Sequence, residues 1–266
     1  MTVAEKQDRK PVLSDTQARR AAPLRGLLPL VVALIVWQML ASKAYPYFPP
    51  PSDWIKALST LAAAGRLQPA LLTTLSSFFS ALFVCVTLGT ALGILLGRSR
   101  SMDRLFGPLL EFGRTMPGGA VIPVAVLLMG YTQSMTLFVV TLTSIWPILL
   151  NVRTAAMRVS PDRLDVARVF HLRWWETQTK VLLPSVFPSI QLGTQTAAPV
   201  ILIIVLLVEI LTQVSGIGRE IALAQSTFRS ATVYGLVILT GVLGLIVNWS
   251  LSFTGYLLRN FENPAA

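Results

Sequence analysis

Residues 115–152 read TMPGGAVIPVAVLLMGYTQSMTLFVVTLTSIWPILLNV, 38 consecutive positions without an Asp, Glu, Lys or Arg. A helix needs about 20 residues to cross the roughly 30 Å hydrocarbon core of a bilayer. The run is too long for one crossing, and its turn is predicted at Gly130-Tyr131-Thr132-Gln133-Ser134, where Gly and small polar residues cluster. Working outward, residues 26–42, 69–97, 181–208 and 230–258 are equally free of charge and supply one span each. Of the 266 residues 53% are hydrophobic and 13% charged, against roughly 25% charged in soluble domains. No segment reads as a strand, so the expectation is an all-α integral membrane protein with six transmembrane helices.

The 22 Lys and Arg residues are placed unevenly between these spans. The tail before Gly26, the segments 98–114 and 153–180 and the C-terminal end together hold seventeen. The alternate segments hold Lys43, Lys56, Arg66, Arg219 and Arg229. The positive-inside rule puts the seventeen in the cytoplasm, and both termini with them. The even helix count demands the same, and it was obtained independently. These charges flank spans and do not cluster on a soluble module, which speaks against a nucleic-acid partner despite the net charge of +10.

The remaining landmarks organise the chain into a basic tail over 1–25, a first span with an extracytoplasmic Pro-rich segment over 26–64, and a main body over 65–260. Tyr45-Pro46-Tyr47-Phe48-Pro49-Pro50-Pro51 is read as a stiff aromatic turn at the outer interface. A short amphipathic helix beginning at Ser52-Asp53 follows it. Gly89, Gly93 and Gly97 form a small-xxx-small ladder that lets another backbone approach closely, either within the chain or at a subunit interface. The third span is expected to open at Met116-Pro117-Gly118-Gly119 and to be interrupted at Pro123, with further breaks at Pro147, Pro188 and Pro199. Broken helices of this kind suit a transporter core. Cys85 is the only cysteine, so a disulfide within the chain is excluded. His171 is the only histidine, which excludes a metal site built from histidines, and no metal is expected.

Between the fourth and fifth spans lies a polar, basic stretch over about 153–190. Ser160-Pro161-Asp162 is a helix start, with Ser160 as N-cap, Pro161 at the first helical position and an acid near the positive end of the dipole. That helix is predicted to run to Phe170, with His171 at the turn and a second helical piece over 172–180. Leu164, Ala167, Val169, Phe170, Leu172, Trp174 and Trp175 are too apolar for a freely solvated loop. They either fold back on the spans or meet a partner, as an apolar helix face meets a groove.

The same stretch resembles the EAA loop of ABC-importer permeases. Counted from Asp165, Asp165-Val166-Ala167 stands where that loop has an acid and two small residues. His171 stands at its glycine, and Val181, Leu183 and Pro184 close the pattern. Arg114-Thr115-Met116-Pro117, Ile145-Trp146-Pro147 and Leu207-Val208-Glu209 with Ser215-Gly216-Ile217-Gly218 follow the family in order. The resemblance covers about 65–260 and is nearest the branch serving nitrate, sulfonate, taurine and related solutes. It implies the type I permease fold and import of a small polar or organic solute through the bacterial inner membrane. It also implies a second permease copy, a homodimer in preference to a heterodimer, together with two cytoplasmic ABC ATPases and an extracytoplasmic binding protein. In that family the ATPases grip this loop, which makes Asp165, Val166, Ala167, Phe170, His171, Trp174, Trp175, Val181, Leu183 and Pro184 the candidate coupling residues. Two departures stand out: Asp165 replaces the usual Glu, and His171 replaces Gly at a turn that would favour positive φ.

The chain lacks G-x-x-x-x-G-K-[ST], so it cannot cradle a nucleotide itself. No cofactor is expected in it, ATP and Mg being bound by the partner ATPase. Glu209 is the one acid at the edge of an apolar run, and intramembrane ionisable groups are functional by default. It is a candidate gate or interhelical hydrogen-bonding group, or an interfacial structural one. An ion-coupled secondary transporter would want several buried acids. An intramembrane enzyme would want a paired catalytic set, and neither is legible in the spans.

Overall fold

The computed structural model describes residues 22–41 and 47–262. Most of the basic tail expected over 1–25, and the Tyr45-Pro46 start of the outer turn, lie outside them. Helix α1 (Ala22–Leu40) leads to α2 (Pro51–Ala63) and the long α3 (Leu67–Arg98). Then come α4 (Arg100–Thr115), α5 (Gly118–Met129), α6 (Gln133–Ser144) and α7 (Trp146–Met157). The polar stretch supplies α8 (Pro161–Val169) and α9 (Trp174–Thr177), which continues through a π-helical turn into α10 (Leu183–Thr212). Helices α11 (Ile217–Ser226) and α12 (Ser230–Glu262) complete the chain. No strand occurs among the described residues.

Three segments are long and apolar enough to cross a membrane without a break: α3, the rod Trp174–Thr212, and Ser230–Phe253 of α12. The 38-residue run does turn where Gly130 clusters with polar residues. Gly130 caps α5 at φ 68°, and Thr132 Oγ1 then accepts from Met135 N at 3.1 Å to start α6. The third span differs from expectation. Helix α5 has only 12 residues, about 18 Å of rise, too short to cross alone. The preceding segment, read as a charged loop, is the helix α4, joined to α5 at a bend of 96°. Its charges hid it, because they lie on one face while Met102, Phe106 and Leu109 occupy the other.

Prolines break fewer helices than expected. Pro117 caps α5 at the 96° bend, and Pro147 is the second residue of α7, after a 44° bend from α6. Pro123, Pro188 and Pro199 sit inside uninterrupted helices.

Helix α7 is the central rod. Helix α3 lies against one side of it along the glycine ladder: a methyl group on Gly93 would fall 2.8 Å from Val152 Cβ and 2.9 Å from the Leu149 carbonyl oxygen. On Gly97 it would fall 2.5 Å from the Arg153 carbonyl oxygen. Gly193 brings α10 to the other side, where a methyl group would fall 2.8 Å from Ile148 Cα. The ladder is thus a contact within the chain. Phe78, Met135, Ile148, Val152 and Ile201 are fully buried around it, and Cys85 fills space there as a packing residue. At the opposite end Trp37, Trp54 and Tyr234 tie α1, α2 and α12 together, with ring centroids 5.2–5.5 Å apart.

Candidate functional site

The polar stretch folds into two short helices joined by a tight corner. Pro161 starts α8 with its φ already set and no N–H to satisfy. Ser160 occupies the N-cap position in extended conformation, but its side chain makes no capping bond. At the other end His171 N donates to Arg168 O at 2.9 Å and Leu172 N donates to Ala167 O at 3.0 Å. This pair of bonds is the Schellman stop, and it needs its hinge residue in the left-handed region. His171 is that hinge, at φ 49°. The family's glycine is therefore a backbone requirement, and His171 satisfies it at a cost of about 1 kcal/mol.

Arg173 then starts α9, its N–H donating to Glu176 Oε2 at 3.0 Å, while Lys180 Nζ donates to Glu176 Oε1 at 2.9 Å. The π-helical turn Gln178–Leu182 follows. Its physical cause is Pro184, which has no N–H and whose ring would press on the carbonyl four residues back, so the preceding turn widens. Ala167 and Leu182 are buried against one another's helices near Arg98 and Leu172, which explains why a small residue is needed at 167. Val181 is half-buried, and Leu183 and Pro184 are exposed beside it.

Ala167 and Leu172 pack back toward α3 and α10, whereas the larger apolar side chains of the corner do not. Val169, Phe170, Trp174 and Trp175 are 75%, 72%, 73% and 68% exposed, and Val166 is exposed with them. Asp165 is also exposed and pairs with Arg168 at 2.8 Å on the same helix. A surface pair of this kind contributes about 0–1 kcal/mol, so Asp165 can exchange Arg168 for a stronger partner. The result is an ordered, apolar, acid-tipped knob formed by α8, the corner and the first turns of the rod Trp174–Thr212.

Glu209 lies elsewhere. Its carboxylate is buried near the end of α10, where Oε2 accepts from Gly218 N at 2.8 Å and Thr74 Oγ1 lies 2.9 Å from both oxygens. Thr74 Oγ1 in turn accepts from Ile217 N at 2.8 Å. Glu209 and Thr74 thus satisfy the first amides of α11, where a negative group is favoured by the dipole. Gly216, at φ 150°, is required because a methyl group there would meet the Glu209 carboxyl. The bond is interhelical and joins α3, α10 and α11.

Residues 89–258 match the family described as binding-protein-dependent transport system inner membrane component. The chain belongs to this family. It is the transmembrane permease subunit of an ABC importer, a multi-pass protein of the bacterial inner membrane and a transport component. The putative aliphatic sulfonates transport permease protein SsuC of Bacillus subtilis (strain 168) is 25% identical to it over 233 residues, 86% of this chain and 84% of that one. The nitrate import permease protein NrtB of Synechocystis is 28% identical over 242 residues, 86% and 87% of the two chains. The bicarbonate transport system permease protein CmpB of Synechococcus elongatus is 27% identical over 254 residues, 90% and 89%. In fold the chain is similar to a chain of the inward-facing MetNI methionine ABC transporter, with a TM-score of 0.61 at 17% identity over 74% of this chain and 96% of that one.

Within this permease the predicted residues fall in three places. Asp165 to Pro184 share one knob, Gly89, Gly93 and Gly97 share the α3–α7 seam, and Glu209 caps α11 away from both. Thr74, Gly193 and the Gly113–Trp146 contact were not singled out from sequence. Thr74 looks like any polar residue in a span, and only its partner across 135 positions reveals it.

Proposed function

We propose that the knob formed by Asp165, Val166, Ala167, Phe170, His171, Trp174, Trp175, Val181, Leu183 and Pro184 is the seat of a cytoplasmic ABC ATPase. The observation that supports it most is the exposure of Val169, Phe170, Trp174 and Trp175 together. Lipid does not account for apolar surface in a charged segment outside the spans, so a partner groove is the fitting occupant. Two permease copies, identical in preference to related, would then face each other across one path, each carrying an ATPase that holds ATP and Mg. An extracytoplasmic binding protein would deliver the solute.

In this reading the basic tail over 1–25 and both termini are cytoplasmic. Residues 26–64 form the first crossing and the outer segment, and 65–260 form the permease body. The three unbroken helices, the two bent pairs and α1 make up six crossings. The cargo is a small anion, as the names of the sulfonate, nitrate and bicarbonate relatives suggest. Vesicles reconstituted with the ATPase and the binding protein encoded beside this chain test the whole assignment. Uptake should require ATP and survive ionophores, and the binding protein should retain a small oxyanion. Uptake that collapses with an ion gradient would contradict the reading.

A further inference from the structure

Helix α4 carries its charges in one stripe. Arg100, Asp103, Arg104, Glu111 and Arg114, with Gly107 among them, fall within an arc of about 100° at 3.6 residues per turn. Met102, Phe106 and Leu109 point the other way, Leu110 borders the stripe, and all four line an apolar groove against α3 and α6. Two contacts give the depth of this helix. Asp103 pairs with Arg153, and a methyl group on Gly113 would strike the Trp146 ring. Trp146 and Arg153 are two turns apart on α7, about 10 Å. Helix α4 therefore climbs about that far from the charged border of the bilayer into it. At its upper end it reaches the level of Ile145, which packs on Gly89, nine residues or about 13 Å from Arg98 at the end of α3.

With the six crossings proposed above, Glu111 and Arg114 sit within the depth of the hydrocarbon while their side chains are 63% and 50% exposed. Charged groups at that depth face a bundle interior or a water-filled cavity, not lipid tails. Arg114 Nε donates to Glu111 Oε2 at 2.8 Å, and among the described residues its two terminal nitrogens have no protein acceptor. That is the planar donor fork that takes two oxygens of a carboxylate, sulfonate or similar oxyanion.

We propose that this stripe lines the aqueous translocation path and that Arg114 is its anion relay. The solute's oxyanion docks on the terminal nitrogens. Glu111, already bonded to Nε, limits the residence of the anion by competing for the same guanidinium. The proposal deepens the small-anion reading given above and rests on it.

Charged thiol reagents test it, since they modify only thiols in water and Cys85 is buried. In the assembled, ATPase-loaded transporter, Gly107→Cys and Glu111→Cys should react with a sulfonate-bearing thiosulfonate added from the cytoplasmic side. Gly107 has no atom within 4 Å of a new Cβ, so that variant disturbs nothing. Leu109→Cys, in the apolar groove, should not react. At Glu111→Cys the sulfonate reagent should outpace its trimethylammonium analogue by about tenfold, relative to a free small thiol. Adding Arg114→Gln should remove that preference, and Arg114→Lys should keep part of it. If Gly107→Cys and Glu111→Cys stay unreactive in a complex whose ATP hydrolysis still responds to the binding protein, the stripe is dry. The relay then falls while the permease assignment stands. Equal reactivity with both reagents, unchanged by Arg114→Gln, would show a wet path without anion selection and overturn the proposal as well.

Discussion

Substituting Ala for each glycine of the α3 ladder makes one chemical change at three depths of a single seam, and the geometry orders the outcomes. At Gly89 the new carbon would lie 3.0 Å from Ile148 Cγ2 and 3.2 Å from its Cβ, contacts that a shift of a few tenths of an ångström relieves. At Gly93 it would meet Val152 Cβ at 2.8 Å and a backbone oxygen at 2.9 Å. At Gly97 it would lie 2.5 Å from the Arg153 carbonyl oxygen and 2.7 Å from Ala156 Cβ, and neither can move without its helix. Carbon atoms rest at about 3.5–4.0 Å, so Gly97→Ala forces α3 and α7 apart by about 1 Å. Overpacking of this kind costs about 1–3 kcal/mol, against which the helix gains up to about 1 kcal/mol from replacing Gly. Gly241 on α12 is the control, because nothing lies within 4 Å of a carbon placed there. Thermal unfolding of the purified permease complex in detergent should rank Gly241→Ala most stable, then Gly89→Ala, Gly93→Ala and Gly97→Ala. Gly93→Leu should fall below Gly93→Ala. If Gly97→Ala melts with Gly241→Ala, the α3–α7 seam is not the close contact described.

Glu209→Ala should destabilise the fold by about 1–3 kcal/mol, because Gly218 N and the Thr74 hydroxyl lose a buried acceptor; a melting shift without loss of membrane insertion checks it. His171→Gly should leave uptake intact and relieve up to about 1 kcal/mol of backbone strain. His171→Val, branched at Cβ, should weaken ATPase association instead. A reporter fused after Arg229 should read as extracytoplasmic and one after Arg168 as cytoplasmic, and both on one side would contradict the six-crossing topology.

What the sequence made legible was what composition and local chemistry control. Charge-free runs located α3, α10 and α12, and Gly130 marked the turn in the 38-residue run because only a permissive backbone caps α5 there. The corner at His171 was readable because a glycine-requiring position announces itself through the family pattern. Helix α4 was not readable as part of a span, since a charge-free window rejects any helix with one charged face. The side on which the glycine ladder packs was equally hidden. Spacing shows that a backbone comes close, but only Val152 and Arg153 of α7 show which one. Glu209 stood out as an acid in an apolar run. Its work of capping α11 depends on Thr74, more than a hundred residues away, and no local signal connects them.

The coupling role of the knob is tested most directly by ATPase co-purification with Asp165→Lys, Phe170→Ala and Trp174→Ala. Large exposed aromatics that become buried at an interface commonly carry about 2 kcal/mol or more each, roughly a thirtyfold loss of affinity. Reversing Asp165 should cost as much where the site is desolvated. All three variants should insert normally, because the altered side chains lie outside the hydrocarbon. Each should lose ATPase from the purified complex, and binding-protein-stimulated hydrolysis and uptake should fall together. Full ATPase retention and full uptake in all three would mean that this ordered apolar corner is not where the permease meets its motor.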